Sequence, residues 1–215
     1  MVNRGFLVLE FFLGFLVLPW TVGKWLAPGA WFPLLWVVAA AAWWNDKAER
    51  SAAVHPLQEL GEAWAKHRKV IGLIAVRFLV AASAMTVGLL YWAPERLFSL
   101  LRHRPGFWAL VMVLYPLLSV YPQELLYRRY LFSHYRPLFR TDAMLVAVSA
   151  LVFGWLHIIF HNTLACVFTL VGGVFFADTF RRTRSLWLTC LEHILYGQFI
   201  FTIGLGEYFR PAPSA

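Results

Sequence analysis

Charged residues are scarce in this chain, and their scarcity indicates its class. Only 14% of the 215 residues are Asp, Glu, Lys or Arg, whereas 60% are hydrophobic and 18% are aromatic. A soluble domain of this length carries nearer ~25% charged residues. The mean hydropathy of +0.63 points the same way. The composition therefore excludes a soluble globular protein and predicts a polytopic membrane protein.

Alternating polar and apolar residues, the pattern of a β-barrel strand, are also missing from the long apolar runs. Only helices and closed barrels satisfy their backbone hydrogen bonds in hydrocarbon, so continuous apolar runs predict helices. The fold class we predict is an all-α transmembrane helix bundle with about seven spans, or eight if Pro19 or Gly29 divides one. The predicted spans are residues 5–22, 26–44, 70–92, 105–132, 143–160, 164–180 and 186–205.

Several sequence signals that would indicate other classes are lacking. The only cysteines, Cys166 and Cys190, lie in apolar runs without CxxC spacing, so we interpret them as packing residues. The first apolar run leads into Pro19 and Trp20 without a small-x-small cleavage site, which predicts an uncleaved first span. No internal repeat is visible, and residues 1–215 are interpreted as one integral membrane domain.

The formal net charge of +8 reflects basic residues placed between the apolar runs. This distribution predicts orientation and not a nucleic-acid partner. With a cytoplasmic amino terminus, 13 of the 19 Lys and Arg residues fall inside, 5 outside and one, Arg77, within a span. We expect an inner (cytoplasmic) membrane protein of a bacterium-like cell. Residues 45–69 are predicted as a cytoplasmic polar loop, with an amphipathic helix from Leu57 on the membrane surface.

The fourth apolar run contains polar residues, Gln123, Glu124 and Arg128, where a lipid-facing helix has no use for them. A charge at bilayer depth costs roughly 2.5–3.5 kcal/mol even on lenient scales, so such residues face the protein interior. Glu124 and Arg128 stand four apart and lie on one helical face. They form either a packing ion pair or part of an active or transport site.

Two further clusters interrupt later spans. In FGWLHIIFH, His157 and His161 follow Phe153 at four-residue steps, and in LEHILYG, Glu192 precedes His193. A single histidine in a span is often only an interhelical hydrogen-bonding group. His161 is also consistent with the end of the fifth span, and Glu192 with a counter-ion for an arginine such as Arg77. Asp178 is expected to pair with Arg181 and Arg182 at the inner edge.

Taken together, one carboxylate and two imidazoles on separate spans favour a shared site. A carboxylate can take a proton from water, and imidazoles can stabilise an oxyanion. The same groups, Glu124, His157 and His193, are also a plausible zinc set with one open position, although HExxH is absent. Residue counts place Glu124 and His193 at similar depths, roughly 18 Å and 14 Å from the basic edge, but His157 near 26 Å. Metal use stays open.

Residues 114–197 resemble the CPBP family of intramembrane endopeptidases, which includes the CAAX prenyl proteases and bacteriocin-processing enzymes. The resemblance is carried by three motifs in the same order on hydrophobic helices. The family's EExxxR, FxxxH and HxxxN motifs fall on Gln123, Glu124 and Arg128, on Phe153 and His157, and on His193 and Gly197.

The resemblance implies hydrolysis of a peptide bond in a membrane-associated polypeptide by glutamate-activated water, without a required cofactor and with zinc as an alternative. The implied catalytic residues are Glu124, His157, His193 and Arg128. Gln123 replaces the family's first glutamate and cannot accept a proton at neutral pH, so Glu124 is the predicted base and Glu192 the reserve carboxylate.

Gly197 replaces the family's asparagine, and Gln198 or Tyr196 is expected to supply the missing hydrogen bond. A different class also stays open. With Gln123 in place of the glutamate, the chain could be a non-hydrolytic membrane protein, either a transporter or a peptide-binding scaffold with a degenerate active site.

Overall fold

A computed structural model describes residues 3–26, 30–45 and 66–209 of the chain. The amphipathic helix predicted from Leu57 lies outside these residues, as does most of the predicted polar loop. Throughout the described part, the secondary structure is helical and contains no strand.

Eight α-helices organise the described residues, and several are continued by short 3₁₀ segments. They are α1 (Arg4–Trp25), α2 (Trp31–Asn45), α3 (Arg68–Trp92), α4 (Ser99–His103), α5 (Pro105–His134), α6 (Asp142–Leu156), α7 (Thr163–Thr183) and α8 (Leu186–Ile203). The 3₁₀ segments are Pro94–Arg96, Arg136–Leu138, His157–Phe160 and Leu205–Phe209.

The long helices confirm the predicted all-α polytopic bundle. Within the described ranges, six helices are long and apolar enough to cross a membrane, and α2 is a shorter apolar helix. Pro19 does not divide α1, which continues through it to Trp25. Pro19 follows a π-helical turn at Leu13–Val17, where the backbone tolerates its missing N–H.

The most buried helices are α5 to α8, and they enclose the polar clusters. Helices α6 and α7 pack closely because glycines remove side chains from their contact: a Cβ on Gly173 would lie 3.0 Å from the Ala150 Cα. Neither cysteine forms a disulfide in the described structure, and Cys190 is buried in the core as expected of a packing residue. In contrast, only 6% of the most apolar stretch of α3 is buried inside the bundle.

Polar side chains define where the later helices begin. The side chains of Thr141, Asn162 and Ser185 accept hydrogen bonds from backbone N–H groups in the first turns of α6, α7 and α8. These contacts satisfy donors that a helix start leaves free. Helix α8 ends at Gly204, which has a φ of 109°, a conformation that favours glycine. A Cβ at this position would also clash with the Arg96 carbonyl oxygen, so only glycine fits there.

Helix α5 is irregular around the QELLYR sequence. It widens into π-helical turns at Pro116–Val120 and Leu125–Tyr130, on either side of the short α-helical segment Tyr121–Glu124. Pro116 has no N–H to donate, which accounts for the first wide turn. π-turns within α-helices frequently occur at functional sites because they redirect side chains. Here they flank Gln123 and Glu124 directly.

A charged cluster joins α3 to α7 near one end of the bundle. The Asp178 carboxylate contacts Arg181 at 2.6 Å and Arg182 at 2.7 Å, as the sequence predicted. It also contacts Arg77 at 2.7 Å. The counter-ion of Arg77 is therefore Asp178, and the suggested pairing of Arg77 with Glu192 is wrong as a direct contact.

Candidate active site

The closest contact between the polar clusters joins α5 to α8. His193 Nδ1 lies 2.7 Å from Glu124 Oε1, and the side chains are 8% and 0% exposed. These residues are 69 positions apart in the chain. The contact brings together the polar residues of the QELLYR and LEHILYG sequences. We refer to this pair as the Glu124–His193 dyad.

Arg128 supplies the counter-ion of the dyad. Its Nε lies 3.3 Å from Glu124 Oε2, and both side chains are fully buried. The pair meets the distance of an ion pair, but neither Oε2 nor Nε has a hydrogen bond of good geometry in the described structure. A fully buried guanidinium needs a negative partner, and Glu124 is the acidic side chain placed to provide it.

Arg128 is itself held by two neighbouring helices, α6 and α7. Its guanidinium donates to Ser149 Oγ at 3.3 Å and to the Gly173 carbonyl at 3.4 Å, and it lies 4.6 Å from the centre of the Phe153 ring. Ser149 Oγ in turn donates to the Tyr127 carbonyl at 2.6 Å. Arg128 therefore fixes Glu124 against α6 and α7.

The partners of the two imidazoles determine which ring nitrogen carries the proton in the neutral form. The His193 Nδ1–H donates to the Glu124 carboxylate, and the His157 Nδ1–H donates to the Phe153 carbonyl at 2.8 Å. A carboxylate and a carbonyl can only accept. In both neutral imidazoles Nε2 is therefore the acceptor nitrogen, and in neither does it hydrogen-bond to a described residue.

His157 and His193 both pack against the aromatic ring of Phe153. The Phe153 ring centre is 4.9 Å from that of His157 and 5.5 Å from that of His193. Phe176 also stacks on His193 at 4.5 Å. Both imidazoles therefore contact the Phe153 ring, and His157 has no hydrogen bond to the dyad.

A cavity of about 1450 Å³ adjoins these rings. Most of its lining is apolar and comes from α1, α2, α3, α5, α7 and α8. The polar site residues in its wall are Gln123, His157 and His193, whereas Glu124 and Arg128 do not contribute to the lining. Glu124 consequently lies behind His193 as seen from the cavity.

Gln123 occupies the cavity wall next to the dyad. Its Nε2 donates to Ser119 Oγ at 2.9 Å, one turn earlier on α5, and its Oε1 is buried without a hydrogen bond in the described structure. The side chain therefore presents neutral amide groups where a glutamate would present a negative charge.

Two sequence candidates are not part of the dyad. The α-helix ends at Leu156 and a 3₁₀ turn follows, so His161, with φ 51°, does not continue the face of Phe153 and His157. It is exposed and lies near Trp20 and Lys24. Glu192 is fully buried, and neither carboxylate oxygen has a hydrogen bond of good geometry.

The donor set does not fit a metal ion. Among the described residues, no three or more His, Cys, Asp or Glu side chains are grouped closely enough to hold one. Glu124 Oε1 is engaged by His193, and each of the two imidazoles contacts the Phe153 ring. The suggested zinc set of Glu124, His157 and His193 is therefore not assembled, and we derive no step through a metal.

Tyr115 is a site residue that the sequence analysis missed. A Cβ built on Gly197 would lie 2.2 Å from the Tyr115 hydroxyl oxygen and 2.3 Å from ring atom Cε1. Tyr115 also contacts His193, with ring centres 6.0 Å apart, and lines the same cavity. The sequence did contain one sign of this contact, which is the glycine at 197 in place of the family's asparagine. A missing side chain one turn after His193 leaves space for another residue.

The fold and the site together define an integral membrane protein whose spans enclose a buried carboxylate–imidazole dyad beside a cavity. Residues 105–198 match the model of the family described as Rce1-like, type II CAAX prenyl endopeptidase. This match includes all three motifs, confirms the resemblance to the CPBP family and implies an intramembrane endopeptidase. No curated protein and no solved structure matches the chain.

Proposed function

We propose that this protein is an intramembrane peptidase in which the Glu124–His193 dyad activates water. The observation that carries the proposal is the 2.7 Å contact between a buried carboxylate and an imidazole in the cavity wall. Hydrolysis inside a membrane requires a group that accepts a proton from water, and Nε2 of the imidazole that contacts Glu124 is such an acceptor.

The reaction follows the usual logic of a carboxylate–imidazole pair. His193 Nε2 takes a proton from water as the oxygen attacks the peptide carbonyl carbon, and the Glu124 carboxylate stabilises the imidazolium that forms. The imidazolium then returns the proton to the leaving amine. Glu124 thus acts through His193, which differs from the direct proton abstraction expected from sequence, because Glu124 is 0% exposed and does not line the cavity.

The other predicted residues support the dyad. Arg128 is a positioning residue that holds the Glu124 side chain in place through the 3.3 Å contact. His157 offers an acceptor nitrogen farther along the cavity, suited to the N–H of a bound peptide. This mechanism, in which Glu124 acts through His193, needs no cofactor.

The apolar cavity favours a polypeptide with a hydrophobic or membrane-anchored segment as substrate. Most of its wall is apolar and accommodates apolar side chains, while Gln123, His157 and His193 place polar groups at the dyad. A carboxyl-terminal sorting or anchor segment of a surface protein, or a small secreted peptide, fits this chemistry. We further propose the inner membrane and a cytoplasmic amino terminus, on the basis of the basic residues between spans.

A non-hydrolytic function is the second candidate, and Gln123 is the observation that favours it. A neutral amide stands in the cavity wall in place of the family's first glutamate. A peptide-binding scaffold would retain the cavity and the folded dyad but would turn over no substrate.

The test compares membranes that contain wild-type protein, Glu124→Gln or His193→Ala. After incubation in heavy-oxygen water, mass spectrometry maps new peptide termini that carry the label. We expect labelled termini with wild-type protein only. Removing an imidazole or the charge behind it in a comparable triad lowers kcat by about 10⁴ or more.

Glu95→Gln is the matched control, because it makes the same chemical change on a side chain that is 71% exposed. It should cleave like wild type. Thermal melting of each purified variant shows whether it is folded. Wild-type termini that persist in folded Glu124→Gln and His193→Ala would refute the dyad, and no labelled termini in any sample would favour the scaffold.

A further inference from the structure

The proposed reaction needs a hydrogen-bond donor that the imidazoles do not provide. A peptide carbonyl develops negative charge on its oxygen when water attacks, and a positioned donor stabilises that charge. His157 and His193 each commit their single neutral N–H to a protein acceptor, so their Nε2 atoms accept. Another residue of the cavity wall has to supply the donor.

Tyr115 is placed where such a donor would be useful. Its hydroxyl occupies the space above Gly197, and Gly197 follows His193 by one turn on the same face of α8. Tyr115, His193 and Gly197 all line the cavity. The hydroxyl is therefore next to the imidazole that activates water and is open to the same bound molecule.

The Tyr115 hydroxyl has no hydrogen-bond partner among the described residues, whereas the two donors expected from sequence, Gln198 and Tyr196, are engaged or remote. The Gln198 amide donates to the Met112 carbonyl at 2.8 Å. The Tyr196 hydroxyl is completely buried, and its electrostatic neighbours are Glu192 and Arg77. The two residues suggested from sequence to supply this hydrogen bond are thus less suited than Tyr115.

We propose that Tyr115 is a catalytic residue that donates a hydrogen bond to the carbonyl oxygen of the scissile peptide. As water attacks, its proton passes to His193 and the carbonyl electron pair moves onto the oxygen, which the Tyr115 O–H stabilises without transferring its own proton. When the carbonyl re-forms, the carbon–nitrogen bond breaks and the amine takes the proton from His193. This role rests on the proposed peptidase function.

The test uses Tyr115→Phe in the full-length protein, with a synthetic peptide that spans a cleavage site mapped as above. Removal of one oxyanion donor lowers kcat by about 10²–10³ in a well-studied protease. We expect a fall of at least about tenfold in kcat, with KM within about twofold of wild type, because the bond strengthens in the transition state. Tyr91→Phe is the matched control, since Tyr91 is 79% exposed and outside the cavity.

A second variant tests the position of the donor independently of the tyrosine ring. Tyr115→Ala removes the obstruction at Gly197, so Gly197→Asn in that background places an amide where the hydroxyl lay. We expect the double variant to cleave faster than Tyr115→Ala alone.

The outcomes separate this proposal from the peptidase assignment. If Tyr115→Phe keeps the wild-type kcat, or raises only KM, while Glu124→Gln is inactive, the role of Tyr115 is overturned and the peptidase stands. If the wild type cleaves nothing, both are overturned. The melting temperature of Tyr115→Phe should equal that of wild type, because no protein hydrogen bond is lost. A lowered melting temperature together with a raised KM and a lowered kcat would indicate a structural role and overturn the proposal.

Discussion

Gly197→Ala tests the central packing feature of the site without any substrate. The added Cβ would lie 2.2 Å from Tyr115 Oη, 2.3 Å from Cε1 and 2.4 Å from Cζ, whereas ordinary contact begins at 3.4 Å. The ring would have to retreat by the difference, 3.4 − 2.2 = 1.2 Å, at its closest atom. Since ring carbons as well as the hydroxyl are too close, the whole side chain must rotate.

The expected magnitude follows from two opposing terms. Overpacking of this kind costs about 1–3 kcal/mol, whereas replacing a helical glycine by alanine gains about 1 kcal/mol. Gly72→Ala on α3 provides the reference, because a Cβ there meets nothing within 4 Å and should show only the gain. The two variants should therefore differ by on the order of 2 kcal/mol, or roughly 4–8 °C in melting temperature.

Thermal unfolding of purified protein in one detergent, at one scan rate, measures this difference. Gly197→Ala should melt below wild type and below Gly72→Ala. In the Tyr115→Ala background the same substitution should cost nothing, whereas in the Tyr115→Phe background it should cost as much as in wild type, because Cζ and Cε1 remain. A Gly197→Ala protein that melts with Gly72→Ala would refute the placement of the ring.

Three further predictions concern the buried charges. Arg128→Met should lower the free energy of unfolding by about 3–5 kcal/mol, because it leaves Glu124 buried without a counter-ion; a melting temperature within about 2 °C of wild type would contradict the ion pair. Arg77→Met should cost less, about 1 kcal/mol, because Asp178 keeps two other arginines and is partly exposed, and equal losses at both arginines would refute this difference. Glu192→Gln should leave the melting temperature unchanged or raise it, because the carboxylate lacks hydrogen bonds of good geometry, and a large loss would show that Glu192 has a partner.

Much of the bundle could be predicted from sequence because hydrocarbon leaves the backbone few choices. The seven apolar runs correspond to α1, α2, α3, α5, α6, α7 and α8, and their bounds differ from the predicted ones by only a few residues apart from the later start of α2. The pairing of Glu124 with Arg128 also followed from helical spacing. Local rules were sufficient wherever a single helix determined the outcome.

The contacts between helices were harder to predict, since they depend on how the spans are arranged around one another. The partner of Arg77 is on α7 and not on α8, a choice that hydropathy does not encode. Helical periodicity suggested a continuous face through His161, but a 3₁₀ turn and a left-handed residue interrupt it. The role of Gly197 became visible only when Tyr115, 82 positions earlier, was seen to fill its space.

Arg128 connects the chemistry to the architecture, since one guanidinium touches Glu124, Ser149, the Gly173 carbonyl and Phe153. Through these contacts Arg128 links the three helices α5, α6 and α7. Inactivity of a variant at this position would therefore not identify a chemical role. Only a replacement that keeps the spans together while removing the charge could separate the two contributions, and structural measurements on that variant should precede any kinetic interpretation.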